Sequence, residues 1–311
     1  MIFGILAGIF WALETVILGI ALSAAPFVSD GTALFLAPFI STFIHDMFSA
    51  VFMCGYNGIR GELREVFGTV RTKDFRYLVL ASAIGGPVGM TGYVLAVNYM
   101  GPSVGAVASA VYPAIGSLLA HFFLKEKIRW YQWIFLLCTL LGVFALSYSP
   151  GLAVTDIRLG LCGVFMCAFG WGTEAVILSK CFRGGELKSR HALQIRQTVS
   201  AAIYGLAIIP VIGGVPLTLR LFGKENVPVL LTVAGAAFFA TVSYLCYYKA
   251  ISKLGAAKAM GLNITYTAWA VLFSVIIFRD GSILNAGNIL CCIAVVVFGI
   301  LSAVDLKELI K

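Results

Sequence analysis

The sequence predicts an all-α integral membrane protein of ten transmembrane helices, arranged as a five-plus-five inverted repeat. Three observations carry this: ten apolar runs, a motif repeated half a chain apart, and basic residues crowded into alternate connections. The chain is 60% hydrophobic and 12% charged, with a mean hydropathy of +0.98, whereas soluble domains carry about 25% charged residues. A helix needs about 20 apolar residues to cross the bilayer core. Such runs fall at roughly 2–24, 31–54, 77–98, 103–124, 129–148, 158–179, 190–212, 227–248, 258–278 and 282–303. They are continuous and not alternating, which predicts helices rather than a barrel. The first run lacks a basic leader, and its pattern recurs inside the chain, so it reads as a span and not as a cleaved signal.

The repeat is clearest at Trp11-Ala-Leu-Glu14-Thr-Val16-Ile17-Leu18 and Trp171-Gly-Thr-Glu174-Ala-Val176-Ile177-Leu178, offset by 160 residues. Ile44-His45-Asp46 with Ser49-Ala50 aligns with Ile195-Arg196-Gln197 and Ser200-Ala201. Tyr112 aligns with Tyr266, Lys125-Glu126 with Arg279-Asp280, and Gly101 with Gly255. The first repeat is expected over 1–150 and the second over 151–311. Five spans per half is an odd number, so the second half enters the membrane from the opposite side. Inverted repeats of this kind place a substrate site near the midplane, where the halves meet.

With the N-terminus inside, the inner connections hold 17 Lys and Arg and the outer ones four, Arg196 lying within a span. This is the positive-inside bias. It predicts cytoplasmic termini in a multi-pass plasma-membrane protein, and it assigns the net charge of +8 to topology and not to nucleic acid. The eight cysteines lie in or at the ends of apolar runs, without a metal-binding pattern. No nucleophile motif or phosphate-binding loop is present. We therefore expect a transporter and not an enzyme, with no cofactor and no metal, and with lipid as its surroundings.

An ionisable residue inside a span costs roughly 2.5–3.5 kcal/mol on insertion scales and is a functional candidate by default. Trp11 and Glu14 share a helix face, as do Trp171 and Glu174. Span 8 presents Tyr244, Tyr247 and Tyr248; span 9 presents Asn263, Tyr266 and Trp269; span 4 presents Ser109 and Tyr112. Several aromatic faces plus a carboxylate suit capture of an organic cation, each π-face contributing about 0.5–2 kcal/mol. The expected binding set is Trp11, Glu14, Tyr112, Trp171, Glu174, Tyr244, Tyr247 and Tyr266. Buried carboxylates such as Glu14 and Glu174 also exchange protons, making the proton a candidate coupling ion. His45, Asp46 and Arg196 are expected to serve gating or coupling, with an Asp46–Arg196 ion pair. Trp130 and Trp133 read as an interfacial belt. Gly85-Gly86-Pro87-Val88-Gly89 reads as a kink or a locally unwound turn in span 3.

Ten spans in an inverted repeat resemble the drug/metabolite transporter superfamily, EamA type. Within it, further stretches resemble the LicB-type choline permeases: Gly86-Pro87-Val88-Gly89-Met90, Ser109-Ala-Val-Tyr112-Pro113-Ala114-Ile115, Ala168-Phe-Gly-Trp171-Gly172-Thr-Glu174, Ile195-Arg196-Gln197, Ser243-Tyr244-Leu-Cys-Tyr247-Tyr248, and Ala257-Lys258-Ala259-Met-Gly261-Leu262-Asn263-Ile-Thr-Tyr266. The resemblance implies choline uptake through an aromatic pocket linked to a proton gradient, with Trp11, Trp171, Glu174, Tyr112, Tyr244, Tyr247 and Tyr266 lining it. That family does not require a carboxylate at the position of Glu14. Export of amino acids or other small metabolites is the competing function within the superfamily.

Overall fold

The structure, a computed structural model, describes residues 1–147 and 154–305, with the backbone alone over 102–108. The expected boundary between the repeats at 150/151 lies outside the described residues. Every element described is a helix. The long ones are α1 (Ile2–Leu22), α2 (Gly31–Ile59), α3 (Lys73–Met100), α4 (Pro102–Leu124), α5 (Trp130–Ser147), α6 (Ile157–Arg183), α7 (Ser189–Val211), α8 (Val227–Leu254), α9 (Ala256–Phe278) and α10 (Ala286–Ala303). Among the described residues nine helices are long and apolar enough to cross a bilayer, and α4, apolar over Ser109–Leu124, accounts for the tenth expected run.

Helix starts follow side-chain capping of orphan backbone N–H groups. Asp30 accepts from the Ala33 N–H, Asp156 from Arg158 and Leu159, and Asn285 from Asn288. The repeat is also written in the backbone. Gly101, between α3 and α4, has φ 90°, and its counterpart Gly255, between α8 and α9, has φ 88°. A side chain at either would be strained in that region. Lys125 and Arg279, which end α4 and α9, both have φ 54°.

Packing is reciprocal in the same sense. Helix α1 lies against α8, and α6 against α3; α4 packs on α6, and α9 on α1; α2 meets α7, and α5 meets α10. Each pairing made by one half has its counterpart in the other, as a two-fold relation requires. The outer face of the bundle is apolar and exposed, as at Leu206 and Phe123, which suits lipid. Trp130 is 74% exposed, as a belt residue should be.

Three helices depart from regular winding: α3, α7, which widens over Tyr204–Ile208, and α9. Helix α3 remains helical through Gly85–Gly89 but widens over Ile84–Val88, because Pro87 has no N–H to close a normal turn. Of the kink or locally unwound turn expected there, the unwound turn does not form; the helical ladder is interrupted instead in α9, which the apolar run over 258–278 reads as continuous. Its two pieces, Ala256–Asn263 and Tyr266–Phe278, meet at Ile264-Thr265. The Thr265 hydroxyl donates to the Leu262 carbonyl at 2.7 Å and that of Thr267 to Ile264 at 3.1 Å. Such local bonds compete with the helical ladder. Helix α1 crosses this break closely: a Cβ on Gly8 would stand 2.8 Å from Thr265 Oγ1 and 3.2 Å from the Asn263 carbonyl.

At the end of the bundle that carries most basic residues, carboxylates of the first half clasp the second. Glu62 pairs with Arg190, with His191 at 3.1 Å and with Lys188 at 3.5 Å. Its hydrogen bonds from Arg190 hold the Glu62 carboxyl well below the ordinary carboxylate range. Glu126 accepts the Ala256 and Ala257 N–H groups at 3.0 and 3.1 Å, capping α9, and meets Arg183 at 3.3 Å.

Candidate binding site

A cavity lies between the halves, lined by Trp11, Tyr112, Trp171, Glu174, Ala175, Ser243, Tyr244, Tyr247, Asn263 and Tyr266. Seven of the eight residues expected to bind are in this wall. The eighth, Glu14, is not. Three residues along a helix leave an angular offset of about 60°, so Trp11 faces the cavity while Glu14 turns to α2. There its Oε1 lies 3.7 Å from His45 Nε2.

The aromatic walls are built twice. Trp171 of α6 meets Tyr112 of α4 edge to face, with ring centroids 6.0 Å apart. Trp11 of α1 meets Tyr266 of α9 in the same manner at 6.4 Å, and Tyr244 of α8 closes on Trp11 at 5.0 Å. The hydroxyls are tied reciprocally. The Asn263 amide donates to the Tyr112 hydroxyl at 3.0 Å, and Ser109 bonds the Tyr266 hydroxyl at 3.0 Å. The Tyr247 hydroxyl and Asn263 Oδ1 are buried without a hydrogen-bond partner of normal geometry among the described residues.

Glu174 is the one carboxylate in the wall among the described residues. Its Oε1 accepts from Arg196 Nε and from the fully buried Tyr248 hydroxyl, both at 3.0 Å. Arg196 continues to Asp46 at 3.3 Å and to Gln197 Oε1 at 2.6 Å, and its guanidinium lies 5.0 Å from the centre of the Tyr244 ring. The expected Asp46–Arg196 ion pair is therefore present, but Arg196 bridges it to Glu174. Gln197 donates to Ser49, which bonds Thr241 of α8 at 2.7 Å. His45, Asp46 and Arg196 all stand behind the wall rather than in it.

Three contributors lie outside the expected binding set. Tyr248 belongs to a run of tyrosines, and which of them turns to Glu174 depends on how α8 is rotated. Tyr93 of α3 stacks on the back of Trp171 at 6.3 Å, with no periodic signal to mark it. Gly85 lets Glu174 approach α3, since a Cβ there would land on the carboxylate itself. Gly85→Ala is therefore expected to cost about 1–3 kcal/mol of overpacking and, by displacing Glu174, to weaken ligand binding at the cavity. An unchanged affinity in a titration of the folded variant would show that Glu174 tolerates displacement.

Comparison with known proteins fits this architecture. Residues 1–148 match the EamA-like transporter family. Protein LicB of Haemophilus influenzae is 29% identical over 280 residues, covering 90% of this chain and 89% of its own. An uncharacterized transporter of Clostridium kluyveri is 25% identical over 217 residues, covering 68% and 67%. A crystal structure aligns over 100% of this chain and 98% of its own, with a TM-score of 0.70 and 17% identity; at that identity the likeness is one of fold alone. These matches identify residues 1–148 as a domain of the EamA-like transporter family, in a multi-pass helical chain whose similarity to Protein LicB runs over most of its length.

Proposed function

We propose that this transporter imports choline or a related quaternary ammonium compound across the plasma membrane by alternating access, linked to the proton gradient, with both termini in the cytoplasm. The observation that carries this reading is the pair of Trp–Tyr walls facing one cavity, with Glu174 between them. A quaternary ammonium group cannot donate hydrogen bonds. It is held by π-faces and balanced by a carboxylate. The similarity to Protein LicB over most of the chain and the resemblance to the choline permeases support the same substrate class.

Amino-acid export is less well supported. An amino acid needs a cationic partner for its carboxylate, and the cavity wall contains no Lys or Arg among the described residues. Arg196, the basic residue at this depth, is already shared between Glu174 and Asp46.

Titration of purified protein with choline tests the proposal. Trp171→Ala and Tyr266→Ala are each expected to weaken binding by about 1–2 kcal/mol, roughly five- to thirty-fold. Tyr266→Phe keeps the π-face and loses the contact with Ser109, so its effect should be milder. Wild-type affinity in both alanine variants would remove the aromatic site.

A further inference from the structure

We propose that Glu14, His45 and Asp46 form a proton-binding site, and that it loads one proton for each organic cation carried. The second part rests on the function proposed above. The repeat sets Glu14 opposite Glu174 and His45 opposite Arg196. The structure preserves this correspondence in space. Glu174 lies 3.0 Å from Arg196, and Glu14 lies 3.7 Å from His45. The two halves thus hold equivalent carboxylate–base pairs, one with a permanent charge and the other with an imidazole whose charge depends on a proton.

The surroundings of His45 fit that role. Its Nδ1 bonds Asp46 Oδ1 at 3.0 Å. Its Nε2 is buried, turned toward Glu14, and has no hydrogen-bond partner among the described residues. His45 is 6% exposed and Glu14 5%, so an added proton would be sheltered from water. The charged and titratable groups around them are Asp46 on the same helix, Arg196 on α7, Tyr244 on α8 and Tyr93 on α3. Asp46 joins the two pairs, since its other oxygen meets Arg196 at 3.3 Å.

Charge balance gives the stoichiometry. Three carboxylates (Glu14, Asp46 and Glu174) face one fixed cation, Arg196, which leaves two negative charges in excess. An organic cation at Glu174 removes one and a proton at Glu14–His45 removes the other. Uncompensated charge in a dry membrane interior is costly, so the occluded cluster is neutral only when both are aboard. Exchange of a proton for the cation would leave one excess charge in either state.

The test uses the full-length protein and choline. Infrared difference spectra between acidic and neutral pH, taken without choline, are expected to contain a carboxyl band that is lost in Glu14→Gln and shifted in His45→Gln. Absence of a Glu14-dependent band overturns the proton site, whatever the substrate. In proteoliposomes the wild type is expected to move two charges per choline and to accelerate when the outside is acidified. Both variants should still quench Trp fluorescence with choline, move one charge per choline and ignore the pH gradient. Variants that still carry two charges and respond to the gradient overturn the coupling. A wild type that gives the band but neither binds nor transports choline overturns the substrate reading instead.

Discussion

Uptake of choline by Glu174→Gln is expected to fall to background. A cation leaving water for the cavity needs a counter-charge, and Glu174 is the carboxylate in the wall among the described residues. At about 4 Å and an effective dielectric constant of about 20, one charge pair contributes roughly 4 kcal/mol, close to three decades of affinity. Glutamine keeps the size of the side chain. Its carbonyl still accepts from Arg196 Nε and the Tyr248 hydroxyl, both 3.0 Å from Glu174 Oε1. The substitution therefore separates electrostatics from shape. Uptake and equilibrium binding should fall together while Trp fluorescence and thermal midpoint stay near those of the wild type. Near-normal affinity would mean that the aromatic walls hold the cation unaided.

Arg196→Leu is expected to fail at assembly rather than at transport. It strips Glu174 and Asp46 of their shared cation. Removing one partner of a buried pair costs about 3–5 kcal/mol, a large part of the roughly 5–15 kcal/mol that holds a typical domain together. Replacing Asp46, Glu174 and Arg196 together by leucine removes the stranded charges as well. That triple variant should recover a monodisperse, cooperatively melting protein that binds no cation. An Arg196→Leu protein melting like the wild type would show that water or local rearrangement already neutralises the cluster.

Much of this was legible in the sequence, and the limits have physical reasons. Apolar run length located the helices because lipid imposes it on every span. The duplication was legible because equivalent backbone turns demand equivalent residues, as at Gly101 and Gly255. Trp11, Trp171, Tyr112 and Tyr266 could be assigned to one site because the repeat predicts where the halves meet. Glu14 could not be separated from that site, because a 60° turn on α1 matters only once α2 is in place. The break in α9 carries no Gly or Pro at Ile264-Thr265; it depends on threonine hydroxyls and the close passage of α1. The fit of Gly85 to Glu174 is a contact between halves, which no local pattern encodes.

The interruption of α9 also bears on the order in which the chain is made. Its inner piece, Ala256–Asn263, has eight residues and reaches roughly 12 Å, well short of the roughly 30 Å of hydrocarbon it must help to cross. Left to lipid alone, the Asn263 side chain and the loosened backbone beside it would lack partners. The partners come from segments synthesised long before: Tyr112 of α4 receives the Asn263 amide, Glu126 caps the first N–H groups of the piece, and α1 covers the break. The segment that completes the cavity therefore finds its partners in helices made before it, so the cavity is closed only once α9 has docked on the first half.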